Sequence, residues 1–233
     1  MRLDQAIAAR FPDVSRRKAR ELIAARRVLV NDRPVAIASR EIPDDARIAI
    51  VDDVSIDVLR ETPEWIAVNK PAGLPTQPTR DRAQRSLEEL LRVRFGAIYL
   101  VHRLDTGTSG VVLFARTAPA AARLSRLFAE GGMRKVYVAL VEPPLVEPIA
   151  IETPIEGKEA ITIVHAVAGS RVEVEIRTGR THQIRIHLAS IGHPVIGDRR
   201  YGGRPAPRLM LHAWTIEHES IGRIEAPLPS PFG

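Results

Sequence analysis

The sequence predicts an α+β protein: a small N-terminal module, then a larger domain on a mainly antiparallel mixed sheet. Three observations lead there. The chain has 233 residues, 45% hydrophobic and 27% charged, a composition typical of folded chains and a length suited to one large or two unequal domains. Charge changes sign along the front: residues 1–33 carry nine basic and four acidic side chains, residues 34–60 three and six. Beyond residues 56–63, strand patterns and helix patterns mix without a regular βα repeat, as an α+β sheet requires. The expected domains are 1–58 and 59–233.

In the first module, Leu3, Ala6 and Ile7 recur at helical spacing, and Phe11-Pro12 closes that helix. Ser15 can cap a second helix over 15–27, with Ala19, Leu22 and Ile23 as its apolar stripe. Arg16, Arg20 and Arg27 are spaced to share its other face, beside Arg17 and Lys18. Val28 to Val30, the turn pair Asn31-Asp32 and Val35 form a tight hairpin. A strand runs from Arg47 to Val51 and ends at Asp52-Asp53. This basic helix face is either solvated or an RNA-binding surface.

In the second domain, Trp65 to Asn69 is a strand entering the turn Lys70-Pro71-Ala72-Gly73. Residues 77–86 form an exposed loop, Leu87 to Phe95 a helix and Ile98 to Val101 a strand. A polar loop then leads to a buried strand at 111–115. Thr117 caps a helix from Ala118 to Glu130, stopped by Gly131-Gly132. Lys135 to Val141 is a strand, and Val172, Val174 and Ile176 alternate with charged residues as in a sheet with one wet face. A helix is expected from Thr181 to Ser190, a strand from Leu209 to His212, and an irregular tail over 226–233.

Composition narrows the function. Cysteine is absent, which excludes disulfides, thiolate metal sites and cysteine nucleophiles. No apolar run nears the ~20 residues that span a bilayer, and the N-terminus has no apolar signal core. No membrane association is expected, and a cytoplasmic address is. The net charge of +6 points to a polyanionic partner. Thirty of the 34 basic residues are arginine, the side chain suited to phosphate and base stacking.

Two stretches concentrate chemistry. His102-Arg103-Leu104-Asp105 sets a cation and a carboxylate in a loop between apolar strands, where side chains are presented from a rigid base. A kinase catalytic loop fits poorly, without a Gly-rich nucleotide loop or D-F-G. Glycosidase chemistry needs a second carboxylate paired with Asp105. The other stretch is Gly179-Arg180-Thr181-His182-Gln183-Ile184-Arg185-Ile186-His187. On a helix, His182 and Arg185 share a face, whereas His182 and His187 stand about 140° apart, wrong for a two-histidine zinc site.

With these residues in view, the chain resembles the RluA-type RNA pseudouridine synthases. The resemblance rests on V-H-R-L-D-T-G-T-S-G (101–110) and G-R-T-H-Q-I-R-I-H-L-A-S-I-G-H-P-V-I-G-D (179–198). Between and around them stand V-N-K-P-A-G-L-P (68–75), R-K-V-Y-V-A-L (134–140) and R-L-M-L-H-A (208–213). Residues 1–50 resemble the alpha-L RNA-binding domain through R-L-D, S-R-R-K-A-R-E-L-I and V-L-V-N-D. Arg26 stands where that pattern has glycine, and the segment between Val141 and Arg171 is shorter than in typical relatives.

The resemblance implies isomerisation of uridine in structured RNA, ribosomal RNA ahead of tRNA, with no cofactor or metal and no obligate protein partner. A monomer is expected. It makes Asp105 the catalytic carboxylate, acting on the sugar either at C1′ or at the 2′ proton. It makes Arg185 the partner of Asp105, and Tyr137 a stacking surface for uracil with a second role at the C5 proton. Arg103 fills the gap left by a flipped uridine, and Leu211 walls the pocket. Arg16, Arg17, Lys18, Arg20 and Arg27 are the expected RNA contacts of the front module. Lys70, Arg180 and His182 are expected as scaffolding. The alternative is an inactive RNA-binding or ribosome-assembly factor on the same fold.

Overall fold

The computed structural model describes residues 1–25, 27–31, 33–50, 56–79 and 85–232. The front module opens with α1 (Leu3–Arg10) and α2 (Arg16–Ala24). Leu3, Ala6, Ile7, Ala19, Leu22 and Ile23 are all buried, and with Val28, Val35, Ile42 and Ala46 they make one small core. Ser15 caps α2 by accepting the Lys18 N–H. β1 (Val28–Val30) and β2 (Arg33–Pro34) form the hairpin, Val30 opposite Arg33. Asn31 takes the left-handed conformation, φ 50°, that such a short turn demands. β3 (Ile48–Ile50) lies along the other side of β1. Arg26, Asp32, Val51, Asp52 and Asp53 lie outside the described residues.

One expectation here is overturned. α2 ends at Ala24, so Arg27 is off the helix and shares no helix face with Arg16 and Arg20. The Arg27 N–H closes on the Leu22 carbonyl at 2.9 Å, and the chain turns at once into β1, which buries Val28. Burial of that strand outweighs the helix propensity of the intervening alanine and arginines.

The second domain is a ten-stranded sheet. Its main path joins β4 (Asp57–Glu61), β5 (Trp65–Lys70), β7 (Ser109–Ala115), β12 (Leu211–His218), β8 (Arg134–Leu140), β11 (Arg171–Ile176), β10 (Thr162–Ala168) and β9 (Ile149–Ile151). β6 (Tyr99–Leu100) pairs with β7, and β13 (Gly222–Glu225) with β12. Every pairing is antiparallel except β7 with β12, whose short parallel contact sets Gly110 beside Ala213. Only glycine fits there: φ is 113°, and a Cβ would stand 2.1 Å from the Ala213 carbonyl oxygen.

Among the described residues, three helices cover the sheet. α3 (Leu87–Phe95) packs Leu87 and Leu91 against Ile66, Val68, Val112 and Phe114. α4 (Ala118–Ala129) packs Ala120 and Leu124 against the opposite face, on Ala67, Val111 and Leu113. β7 is thus buried on both sides, which explains its unbroken apolar run. Thr117 caps α4, as expected, by accepting the Ala120 N–H. α5 (Gln183–Ser190) packs Ile184 and Leu188 against Val138, Val174 and Leu211.

Several details depart from the sequence reading. β4, β9, β10 and β13 have no counterpart in it, and α5 starts two residues late because His182 is left-handed. The outer face of β11 is not uniformly wet: Glu175 is buried, held by Arg134, Arg177 and His165. The tail is not loose either, since Phe232 joins the core of Leu188 and Leu209. Among the described residues, no helix is long and apolar enough to cross a membrane.

Candidate active site

The loop between β6 and β7 is fixed from below. His102 Nε2 accepts the Leu113 N–H at 2.9 Å, and its ring stacks on Phe128 at 4.1 Å. Burial, with the Lys135 charge adding to it, pulls this imidazole down to about 3 and keeps it a neutral acceptor. Leu104 is clamped by Thr76, whose hydroxyl donates to its carbonyl at 2.8 Å and accepts its N–H at 3.2 Å. Lys70, fully buried, donates to the carbonyls of Pro71, Leu74 and Thr106. Burial brings its amine down to about 7, against the pull of the Asp105 carboxylate and with the Arg208 charge. These ties leave Asp105 facing outward beside exposed Arg103.

The second stretch is pinned by Gln183, which is buried at the start of α5. Its carbonyl oxygen accepts from Thr178 Oγ1 (2.8 Å) and the Arg180 N–H (3.0 Å), and its amide donates to the Ile161 carbonyl (2.9 Å). Arg180 turns its Nε to the Glu159 carbonyl. His187 is buried between Thr162 Oγ1 and the Thr153 carbonyl, far in role from His182. His182 has φ 57°, and its Nδ1 lies 2.9 Å from the Tyr201 hydroxyl while its Nε2 stands 3.7 Å from Asp105 Oδ2.

Asp105, Arg103, Tyr137, Arg185 and Leu211 line one open cleft of about 460 Å³, together with His182. A second cleft, walled by residues 75–79, opens onto the same Asp105. Tyr137 comes from β8, opposite Val174 of β11 and Ala213 of β12. Burial, then the charge of Asp105, pushes its phenol well above the usual range, so the hydroxyl stays protonated. Arg103 has no hydrogen bond or ion pair among the described residues.

Arg185 donates from Nη1 to Asp105 Oδ2 at 3.1 Å. Its Nε and Nη2 donate instead to Asp198 Oδ2 and Oδ1, at 2.6 and 2.9 Å. The planar fork therefore grips Asp198, a carboxylate with no exposed side-chain area, rather than Asp105. Burial alone would raise Asp198; the Arg185 guanidinium and the Arg200 and Tyr201 amides reverse this and hold it below the usual carboxylate range. Sequence reasoning assigns no role to Asp198 or Tyr201. A signal is there: Asp198 is the only acidic residue between Glu175 and Glu217, a span with seven arginines.

The front module holds its cations apart from this cleft. Asp4 is fully buried and accepts from Arg2, Arg16 and Arg20. Its burial opposes ionisation, but the three guanidiniums outweigh it and bring Asp4 to about 2. Arg17 and Lys18 both pair with Glu21, at 3.0 and 3.5 Å.

A module with a basic face, joined to a cleft with one outward carboxylate, an arginine partner and an aromatic wall, suits an enzyme that acts on a polyanionic chain. Comparison with known proteins agrees. Residues 64–190 match the RNA pseudouridylate synthase family and residues 1–48 the S4 domain. The chain belongs to the RNA pseudouridine synthase family, and is an RNA pseudouridine synthase with an S4 domain in front. It is 34% identical to ribosomal large subunit pseudouridine synthase D of Escherichia coli K12, over 88% of this chain and 74% of that one. With the protein of the same description from Haemophilus influenzae it shares 29% identity over 99% of this chain and 89% of the other. Among solved structures, human RNA pseudouridylate synthase domain containing 1 superposes with a TM-score of 0.64 and 28% identity, covering 77% of this chain and 85% of that one.

Proposed function

We propose that this synthase isomerises uridine in the RNA of the large ribosomal subunit, with Asp105 as the catalytic residue. The observation that carries the role of Asp105 is its setting. It is a carboxyl group tied by one arginine N–H, at the meeting point of two open clefts. The relatives described as ribosomal large subunit pseudouridine synthases support the choice of RNA.

In this reading the bond between C1′ and N1 breaks, uracil turns, and a bond forms between C1′ and C5. The C5 proton leaves and N1 ends protonated. Asp105 acts on the sugar, while Tyr137 and Leu211 hold the detached base between a ring and an aliphatic wall. Arg103, exposed and without a partner among the described residues, enters the stack in place of the flipped uridine. Arg185 donates one N–H to Asp105 and orients its carboxylate beside the cleft. The S4 domain supplies Arg16, Arg17, Lys18, Arg20 and Arg27 to the RNA backbone. The chain divides near residue 58 and works as a cytoplasmic monomer.

Asp105→Asn keeps shape and removes charge, so turnover should vanish while RNA affinity stays within a few-fold. Normal isomerisation by this variant would overturn the assignment. Pseudouridine mapping in cells with and without the protein tests the target, and loss from tRNA alone would refute the ribosomal choice.

A further inference from the structure

We propose that Asp198 is a positioning residue: it holds the fork of Arg185 away from Asp105, so that one Asp105 oxygen stays open to the sugar. The inference rests on the catalytic role proposed for Asp105 and adds the group that makes it usable.

The geometry is specific about which oxygen is occupied. Arg185 Nη1 and His182 Nε2 both lie toward Asp105 Oδ2, at 3.1 and 3.7 Å. Oδ1 of Asp105 has no protein partner among the described residues. A guanidinium beside a lone carboxylate prefers the two-pronged arrangement, which covers both oxygens. Here that arrangement is taken by Asp198, through Nε and Nη2.

Asp198 is itself buried and held from several sides. Its Oδ1 also accepts the N–H groups of Arg200 and Tyr201, at 3.1 and 3.3 Å. The turn around it is tight: a Cβ on Gly197 would stand 1.9 Å from the Arg208 carbonyl, and one on Gly203 1.9 Å from that of Val195. The same carboxylate therefore fixes Arg185 through its side chain and Tyr201 through its backbone. Tyr201 in turn meets His182 at 2.9 Å. Both groups that face Asp105 are referred to one buried anchor.

Asp198→Asn removes the charge that holds the fork, and Arg185 is then free to close on both oxygens of Asp105. Single-turnover rates and RNA affinity should be measured for Asp198→Asn, Arg185→Met, the double variant and Asp105→Asn, each with its melting temperature. The rate of Asp198→Asn should fall about 100-fold per folded molecule, with the RNA Kd within threefold of wild type. In the Arg185→Met background the fork is gone, so adding Asp198→Asn should cost no further rate. That double variant should also melt above Arg185→Met, because it no longer strands a buried anion. A role of Asp198 that does not run through Arg185 predicts multiplied rate losses in the double variant instead.

If Asp198→Asn fails to fold, the two Met variants carry the test through the same rate and melting comparison. The proposal is overturned if Asp198→Asn turns over within threefold of wild type, or if the double variant falls well below Arg185→Met. An inactive Asp105→Asn beside a normal Asp198→Asn refutes this role alone. Normal turnover by Asp105→Asn refutes the catalytic reading beneath it.

Discussion

Arg185 reaches Asp105 through one N–H only, Nη1 to Oδ2 at 3.1 Å. The two carboxylates that share this guanidinium differ in solvation: the Asp105 side chain is 26% exposed, that of Asp198 not at all. The buried one satisfies the geometry of the cation, and the open one is left able to meet substrate. Burial would lower Arg185, but both carboxylates raise it, so it stays charged at any pH the enzyme meets.

This division sets the expected order of Arg185 variants. Lysine keeps the cation but has no planar fork, so it cannot bridge Asp198 and Asp105 together. Arg185→Lys should lose roughly 100-fold in turnover yet stay above Arg185→Met. The Met variant leaves Asp198 buried without a partner and should lose about 3–5 kcal/mol of stability. Chemical unfolding and turnover on one RNA decide it: equal activity for Lys and wild type would mean that the fork is dispensable.

The neutral imidazole of His102 predicts an acid-sensitive fold. Its value in the folded protein, about 3, lies below its ordinary 6.5. Between those values the unfolded chain binds a proton that the folded chain refuses, so stability falls as pH drops through that window. His212, brought down to about 4 by burial, acts in the same direction. His102→Phe keeps a ring against Phe128 but offers no acceptor to the Leu113 N–H, a loss of about 1–3 kcal/mol. Melting curves from pH 8 to pH 4 should show that variant less stable at pH 8 and less steep below 6.5. A slope identical to wild type would mean that His102 takes up its proton as readily in the folded protein as in the unfolded chain.

How much of this is legible in the sequence depends on the range of the interaction. Helix α4 is readable because its cap is local, Thr117 with Ala120; the cap of α3, Ser86 with Glu89, is as local, but Ser86 reads as the end of an exposed loop and is in fact buried. The buried strand β7 is readable from its unbroken apolar run. β4 is not, because it is half exposed and exists through pairing with β5. The tail hides two buried residues, Ala226 and Phe232, and the pocket of Phe232 is built by residues some twenty to ninety positions earlier. At the site, Asp105 stands out as the acid of a compact polar loop. The hold of Asp198 on Arg185 does not, since thirteen residues and a tight glycine turn separate the two. The end of α2 is hidden because Ala25 and its arginine neighbours are good helix formers, while the demand to bury Val28 is tertiary.

The last prediction concerns how the front module meets RNA, and the structure sharpens it. Arg16 and Arg20 both turn Nε toward Asp4, at 3.2 and 2.9 Å, with about half of each side chain exposed. Each is held to Asp4 through Nε while about half of its side chain stays exposed, in a spacing fixed by a carboxylate that stays ionised down to about pH 2. Arg17 instead lies against Glu21 on an exposed turn. Every phosphate that an arginine no longer neutralises should take about 0.7–0.9 off the slope of log K against log salt. Arg16→Gln with Arg20→Gln should therefore lower the slope by about 1.5, and deletion of residues 1–55 by more. Arg17→Gln should change it less than either single substitution, because its charge is already balanced in part by Glu21. Asp4→Asn adds a discriminating case: it leaves every arginine in place but removes their common anchor, so affinity should fall although net positive charge rises by one. Filter binding on one long RNA at several salt concentrations measures all four. Tighter binding by Asp4→Asn would mean that charge alone, and not the arrangement Asp4 imposes, governs how the module holds RNA.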